Sequence, residues 1–279
     1  MPTVSIVIRS RNDASFIERV LDGISGQTFS DFEILSFDNA STDGTRKIIA
    51  QYDNIRLFSI PEGGYVPGKV LNFAFKESLG EVIVYNNSDS IPLDEFWLEE
   101  LIKPLLNQQA HATYARQVPR PDAFPWVKLD YSRSFPETPF SKTFFSMVSS
   151  ATTRNTLRRF PFDPKISYSE DIYWAKTLRD NGLKIAYTPK SIVEHSHNYS
   201  IEQVQTRFYG EGYADGQIWK EGQTLYHFGK GLLGGIFRDF FWLLKTNQIA
   251  QLAPCLKYRF KQKFSYRNGL KDYFRDIRK

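Results

Sequence analysis

Apolar and polar positions alternate in blocks along the first ninety residues. A β-branched apolar run at 4–8 stops at the polar Arg9-Ser10-Arg11-Asn12, as a buried strand entering a loop does. Phe16, Ile17, Val20, Leu21 and Ile24 then recur at helical spacing behind Asp13, a residue suited to capping, and Gly26-Gln27-Thr28 closes the helix. A second strand at 32–37 runs into the polar loop 38–44, where Thr42 or Asp43 caps a helix through Ile48 and Ile49. A third strand at 55–60 and a helix at 69–78, ending at Gly80, lead to the buried run Val82-Ile83-Val84-Tyr85. That run breaks into Asn86-Asn87-Ser88-Asp89, and after Pro92 an acidic helix begins near Asp94.

Such β-α alternation predicts a mainly parallel sheet with helices on both faces. Right-handed crossovers place the loops after Ile8, Phe37 and Tyr85 on one edge of it. Ligands of open α/β sheets bind beyond the carboxyl ends of the strands, so these polar loops are the expected site.

The second half is less regular. A helix continues over 98–106, a strand is expected at 112–118, and 119–139, with five prolines and four aromatic residues, reads as a long loop. A strand at 143–150, a helix from Thr152, a helix at 170–181 closed by Gly182 and a short strand at 183–187 follow. Ser200 caps a further helix containing Val204 and Phe208. The division expected is residues 1–222 as the catalytic domain and 223–279 as a basic, aromatic helical extension.

Charge sharpens that division. Residues 225–279 hold twelve Lys and Arg against three Asp, so residues 1–224 carry a net −4 of the chain's +5. Residues 231–245, GLLGGIFRDFFWLLK, are too short to span a bilayer. Lys257, Arg259, Lys261, Lys263 and Arg267 interleave with aromatic residues and suit an anionic membrane surface, or a helical hairpin with a solvated basic face. Nucleic-acid binding has only the charge in its favour. The single Cys255 excludes an internal disulfide, and the N-terminus shows no signal peptide, which points to a cytoplasmic protein.

Five motifs in order, SIVIRSRND, FDNASTDGT, NSDSIP, SEDIYWA and VEHSHNYS, resemble a family 2 glycosyltransferase of the GT-A fold over residues 3 to about 200. The resemblance implies sugar transfer from a nucleoside diphosphate donor with inversion, assisted by a divalent metal, Mn²⁺ or Mg²⁺. It implies that Asp38 meets the uracil or thymine ring, that Ser10, Arg11 and Asn12 line the nucleotide, and that Lys69 approaches the diphosphate. Asn87-Ser88-Asp89 stands where the family carries Asp-x-Asp: Asp89 matches the second acid, Asn87 replaces the first, and Ser88 lies between them. One or two carboxylates with substrate phosphates suffice for Mg²⁺-like ions. His195 resembles a late histidine that reaches the metal or diphosphate.

Glu170-Asp171 matches the family's acidic pair, with Asp171 as the base and Glu170 as acceptor binder or orienter. A helix N-terminus keeps such carboxylates ionised. Tyr173-Trp174 either stacks on a sugar or belongs to the core. The stretch HSHNYSIEQVQTRFYGEG and the basic tail are most similar to bacterial rhamnosyltransferases, which implies a UDP- or dTDP-sugar donor such as dTDP-rhamnose. It also implies a saccharide or lipid-linked acceptor, surface polysaccharide or glycolipid synthesis, and work at the inner face of the cytoplasmic membrane. Two rival readings are a non-catalytic relative that binds nucleotide or membrane, and a sugar nucleotidyltransferase. The latter expects a glycine-rich loop after the first strand, which Arg9-Ser10-Arg11-Asn12 lacks.

Overall fold

The computed structural model describes residues 1–138 and 144–278. The chain runs β1 (Val4–Ser10), α1 (Ile17–Ser25), β2 (Phe32–Asn39), α2 (Thr45–Ile49), β3 (Ile55–Ile60), α3 (Pro67–Glu77) and β4 (Val82–Asn87). It continues β5 (Ile91–Pro92), α4 (Trp97–Leu106), β6 (Ala112–Val118), α5 (Pro125–Ser134), β7 (Ser149–Thr153), α6 (Arg154–Arg159), α7 (Glu170–Asp180) and β8 (Ile185–Glu194). Three long helices close it: α8 (Ile201–Trp219), α9 (Leu225–Lys245) and α10 (Leu252–Asp276). None of the helices among the described residues is long and apolar enough to cross a membrane.

Two compact units result, one of residues 1–120 and 134–195, the other of 121–133 and 196–279. The first holds an eight-stranded sheet in the order β3-β2-β1-β4-β7-β6-β8-β5. β1, β2, β3 and β4 are mutually parallel, as the alternation predicts. Beyond β4 the sheet is mixed, because β7 runs antiparallel to both β4 and β6. The core seals β1 and β4 against α1 and α4 through Ile6, Ile8, Leu21, Val84, Trp97 and Leu101, all buried. Continuous apolar runs are what a strand covered on both faces requires.

Four sequence expectations are corrected. The segment 119–139 is not wholly a loop: α5 occupies Pro125–Ser134, and its proline stands at the first helical position, where no amide donor is needed. The strand expected at 143–150 is β7, Ser149–Thr153, with the next helix beginning at Arg154; residues 139–143 lie outside the described residues. The helix expected near Asp94 starts at Trp97. The short strand at 183–187 is instead the ten-residue β8, which skips register beside Ala115 and Arg116 and so accommodates Pro189 inside a strand.

In the second unit α8, capped by Ser200 through a capping box, packs along α10. A Cβ on Gly212 would stand 2.0 Å from the Tyr266 carbonyl oxygen, and one on Gly269 2.0 Å from that of Tyr209. The two backbones therefore touch through a pair of glycines. Asp239, 1% exposed, holds Arg259 at 2.6 Å, and Asp130 takes the same guanidinium at 2.7 Å.

Candidate active site

The parallel strands β1, β2 and β4 end together, and their loops are laced by side chains. β1 continues past the apolar run to Ser10, so Arg9 and Ser10 are still in the strand and face opposite sides. Ser10 donates to Asp38 at 3.2 Å. Asp38 is fully buried and also accepts from the Ser41 amide at 3.1 Å and from Arg46 at 3.3 Å. The Asn12 side-chain oxygen accepts the Thr42 amide at 2.8 Å, and its own amide donates to Ser41 at 2.9 Å. Arg11 and Asn12 are exposed at this rim. Lys69 is exposed in the first turn of α3 and takes no part in this lacing.

Asp13 does not cap α1 with its side chain: the N-cap position is Phe16, and only the Asp13 backbone carbonyl accepts, from the Phe16 and Ile17 amides. Its carboxylate accepts instead from the Ser88 hydroxyl and the Arg11 amide, tying the first loop to the Asn87-Ser88-Asp89 turn. Burial pushes this carboxyl above its ordinary range, against the two hydrogen bonds.

Asp89, 6% exposed, lies 3.6 Å (Oδ2) from His195 Nε2. The opposite ring nitrogen, Nδ1, is 2.9 Å from Gln117 Oε1, while the Gln117 amide nitrogen donates to Ser146. Gln117 presents its acceptor to Nδ1, which leaves Nε2 as the ring nitrogen on the Asp89 side. Metal–ligand bonds of about 2.1 Å place two ligands of one ion roughly this far apart, so the pair fits a divalent cation. Arg120 approaches the same Asp89 oxygen at 3.3 Å and donates to the Asp89 carbonyl at 2.7 Å, with its guanidinium 3.9 Å above the Phe16 ring.

Glu170 and Asp171 open α7, behind Ser169 in the left-handed region at φ 54°. Asp171 accepts from the Met147 amide at 3.2 Å. Burial and the Asp171 charge push the Glu170 carboxyl up, partly offset by Arg9. Trp174 is core: it is 2% exposed, donates to the Phe160 carbonyl at 2.7 Å and stacks on Phe162.

Arg9, Gln117 and Arg120 escaped the sequence reading. Arg9 donates to Asn87 at 2.9 Å and lies 3.5 Å from Glu170, joining the turn to the acidic pair. Burial alone would lower its pKa, but Tyr65, Glu170 and Asp171 outweigh burial and hold it raised. A charged residue directly after an apolar strand was the available signal. Arg120, enclosed by Pro119 and Pro121, offered a similar one.

A sheet parallel on one side and mixed on the other, flanked by helices, is the GT-A fold of its structural neighbours. The family model "Glycosyl transferase family 2" matches residues 5–164, and the chain belongs to that family. It is thus a glycosyltransferase of the class that draws on nucleotide sugars. It is 26% identical to the O-antigen chain rhamnosyltransferase RfbN of Salmonella typhimurium over 225 residues, 75% of this chain and 71% of that one. It is 28% identical to WbaN of Salmonella anatum over 200 residues, 67% and 63% of the two chains. Among solved structures, a mannosyltransferase from Pyrobaculum calidifontis, in complex with GDP-Man and Mn²⁺, aligns with TM-score 0.67 at 18% identity over 99% of this chain and 88% of its own. Glucosyl-3-phosphoglycerate synthase from Mycobacterium tuberculosis, with Mn²⁺ and UDP, aligns with TM-score 0.57 at 21% identity over 77% of this chain and 78% of its own.

Proposed function

We propose that this glycosyltransferase moves a sugar, with inversion, from a UDP or dTDP donor to a hydroxyl of a saccharide or lipid-linked acceptor in surface polysaccharide synthesis. The rhamnosyltransferase relatives favour dTDP-rhamnose. The observation that carries the reading is the linkage, through Arg9 and Asn87, of the Asp89–His195 pair to the Glu170–Asp171 pair. A cation site and a base are then held by one hydrogen-bonded frame.

Asp171 is the proposed general base, taking the acceptor proton as its oxygen attacks. Glu170, held by Arg9, positions the acceptor. Arg11 and Asn12 meet the nucleotide at the exposed rim, Ser10 and the buried Asp38 shape the floor beneath it, and Lys69 meets the diphosphate. Asn87 and Ser88 set the turn. Asp89 and His195 would hold Mn²⁺ or Mg²⁺, which when bound neutralises the leaving diphosphate. Purified chain, dTDP- or UDP-sugars, acceptor and Mn²⁺ test this: Asp171→Asn is expected to lose about 10²–10⁴-fold in turnover, and full transfer by that variant removes the base.

Arg120 on the Asp89 oxygen favours a second reading, in which a guanidinium supplies part of the charge the diphosphate needs. Activity that survives EDTA but is lost in Arg120→Ala selects it.

Peripheral contact with an anionic cytoplasmic membrane face belongs to the same reading. Leu233, Phe237, Phe241 and Leu244 share one face of α9 and are each 56–62% exposed. Flotation with anionic vesicles that persists unchanged in a Phe237→Ser, Phe241→Ser variant removes this contact.

A further inference from the structure

The helical unit contains a cavity of about 570 Å³ whose wall is one face of α10 continued to Arg278. Residues 267, 270, 271, 274, 275 and 278 recur there at helical spacing. Leu270 and Phe274 are apolar; Arg267, Lys271, Arg275 and Arg278 are cationic. Arg275 is bound to Asp272 at 3.0 Å and to Asp276 at 3.7 Å. Among the described residues no carboxylate pairs with Arg267, Lys271 or Arg278, so the wall keeps a surplus of positive charge.

Arg267 is the telling group. It is only 8% exposed, its guanidinium lies 4.8 Å from the Phe228 ring centroid, and its Nη1 finds no hydrogen-bond partner in the protein. The buried Oε1 of Gln223, which also lines the cavity, is likewise unmatched. A buried donor and a buried acceptor left unmet are costly, and a ligand that completes both is one way a fold retains them. The donor is a guanidinium, whose fork matches phosphate oxygens. The acceptor calls for a hydroxyl.

We propose that this cavity binds a phosphate ester bearing a free hydroxyl, with Arg267 as its buried anchor, Lys271 and Arg278 at the rim, and Gln223 on the hydroxyl. The site belongs to the helical unit and stands whether or not the proposed donor and acceptor are correct. The phosphate is that of a lipid headgroup or of a soluble ester.

Full-length protein is titrated calorimetrically with glycerol 3-phosphate, and separately sedimented with phosphatidylglycerol or phosphatidylcholine vesicles. Arg267→Gln is expected to weaken binding at least tenfold, and Lys271→Gln less. Loss confined to phosphatidylglycerol vesicles assigns a headgroup; loss confined to glycerol 3-phosphate assigns a soluble ester. Wild-type protein that binds neither probe overturns the proposal, as does a folded Arg267→Gln variant with wild-type affinity for both. Should that variant not fold, Lys271→Gln with Arg278→Gln decides, unchanged binding again overturning it. Transfer to a soluble acceptor is expected to be unaltered in all of these variants, which separates this site from the catalytic one.

Discussion

Arg9 donates one hydrogen bond to Asn87 and, with its other terminal nitrogen, faces Glu170. Asn87 stands where the resemblance to the family implies a carboxylate, so this guanidinium meets an amide at the turn and a carboxylate at α7. Asn87→Asp restores the missing acid beside a resident cation. Half-saturating Mn²⁺ in a donor-hydrolysis assay is expected to fall about tenfold, the scale on which ligand-shell changes act.

Arg9→Met removes the group that opposes the upward shift of Glu170. The acid limb of the pH–rate profile is expected to move to higher pH, while Mn²⁺ half-saturation changes little. A profile identical to wild type would separate Glu170 from the reaction.

The Glu170 and Asp13 carboxyls titrate higher in the folded chain than in the unfolded one, both chiefly through burial. Between the ordinary carboxylate value and the folded value the native state therefore binds more protons, and stability falls as pH rises. Melting temperature measured upward from pH 4 is expected to show this decline. Glu170→Gln, which cannot ionise, removes its share and leaves that of Asp13.

Asp239 is enclosed by Arg238 and Arg259 in the helical unit. Removing one partner of a buried pair leaves the other charge uncompensated, at about 3–5 kcal/mol. Urea denaturation of Asp239→Ala is expected to show a loss of that order, with Asp239→Asn intermediate.

Cys255 lies 3.7 Å from the same carboxylate, and burial, then the Asp239 charge, push its thiol up to about 12. Thiolate is the reactive form. Native protein at pH 8 is expected to react with a disulfide reagent orders of magnitude more slowly than protein in urea.

The parallel half of the sheet was legible because its strands are covered on both faces and read as unbroken apolar runs. Its limits were less so. The pattern ends β1 at Ile8, whereas the ladder continues to Ser10, since the last two side chains serve the loop edge instead of the core. The antiparallel entry of β7 leaves no local trace, because strand direction is decided by the partner. Proline content concealed α5, although Pro125 begins that helix without breaking it. In the site, Asp89 and His195, singled out as metal ligands through the family resemblance, lie 3.6 Å apart. Arg9, Gln117 and Arg120 act through contacts 78, 78 and 31 residues away, beyond any local pattern. Among the described residues, three of the six non-glycine residues with positive φ, Asn12, Ala40 and Ser169, sit in the loops of this edge, where a fold commonly stores backbone strain.

The reciprocal glycines of α8 and α10 leave no slip plane between the two helices. A methyl group at either point meets a carbonyl oxygen at 2.0 Å, so the pair can neither slide by a residue nor rotate without separating. The phosphate-binding wall proposed on α10 is thereby mounted on a two-helix beam. An anion seated there would load the beam as a whole, and a single alanine at position 212 or 269 would detune that response without touching one ligand-facing residue.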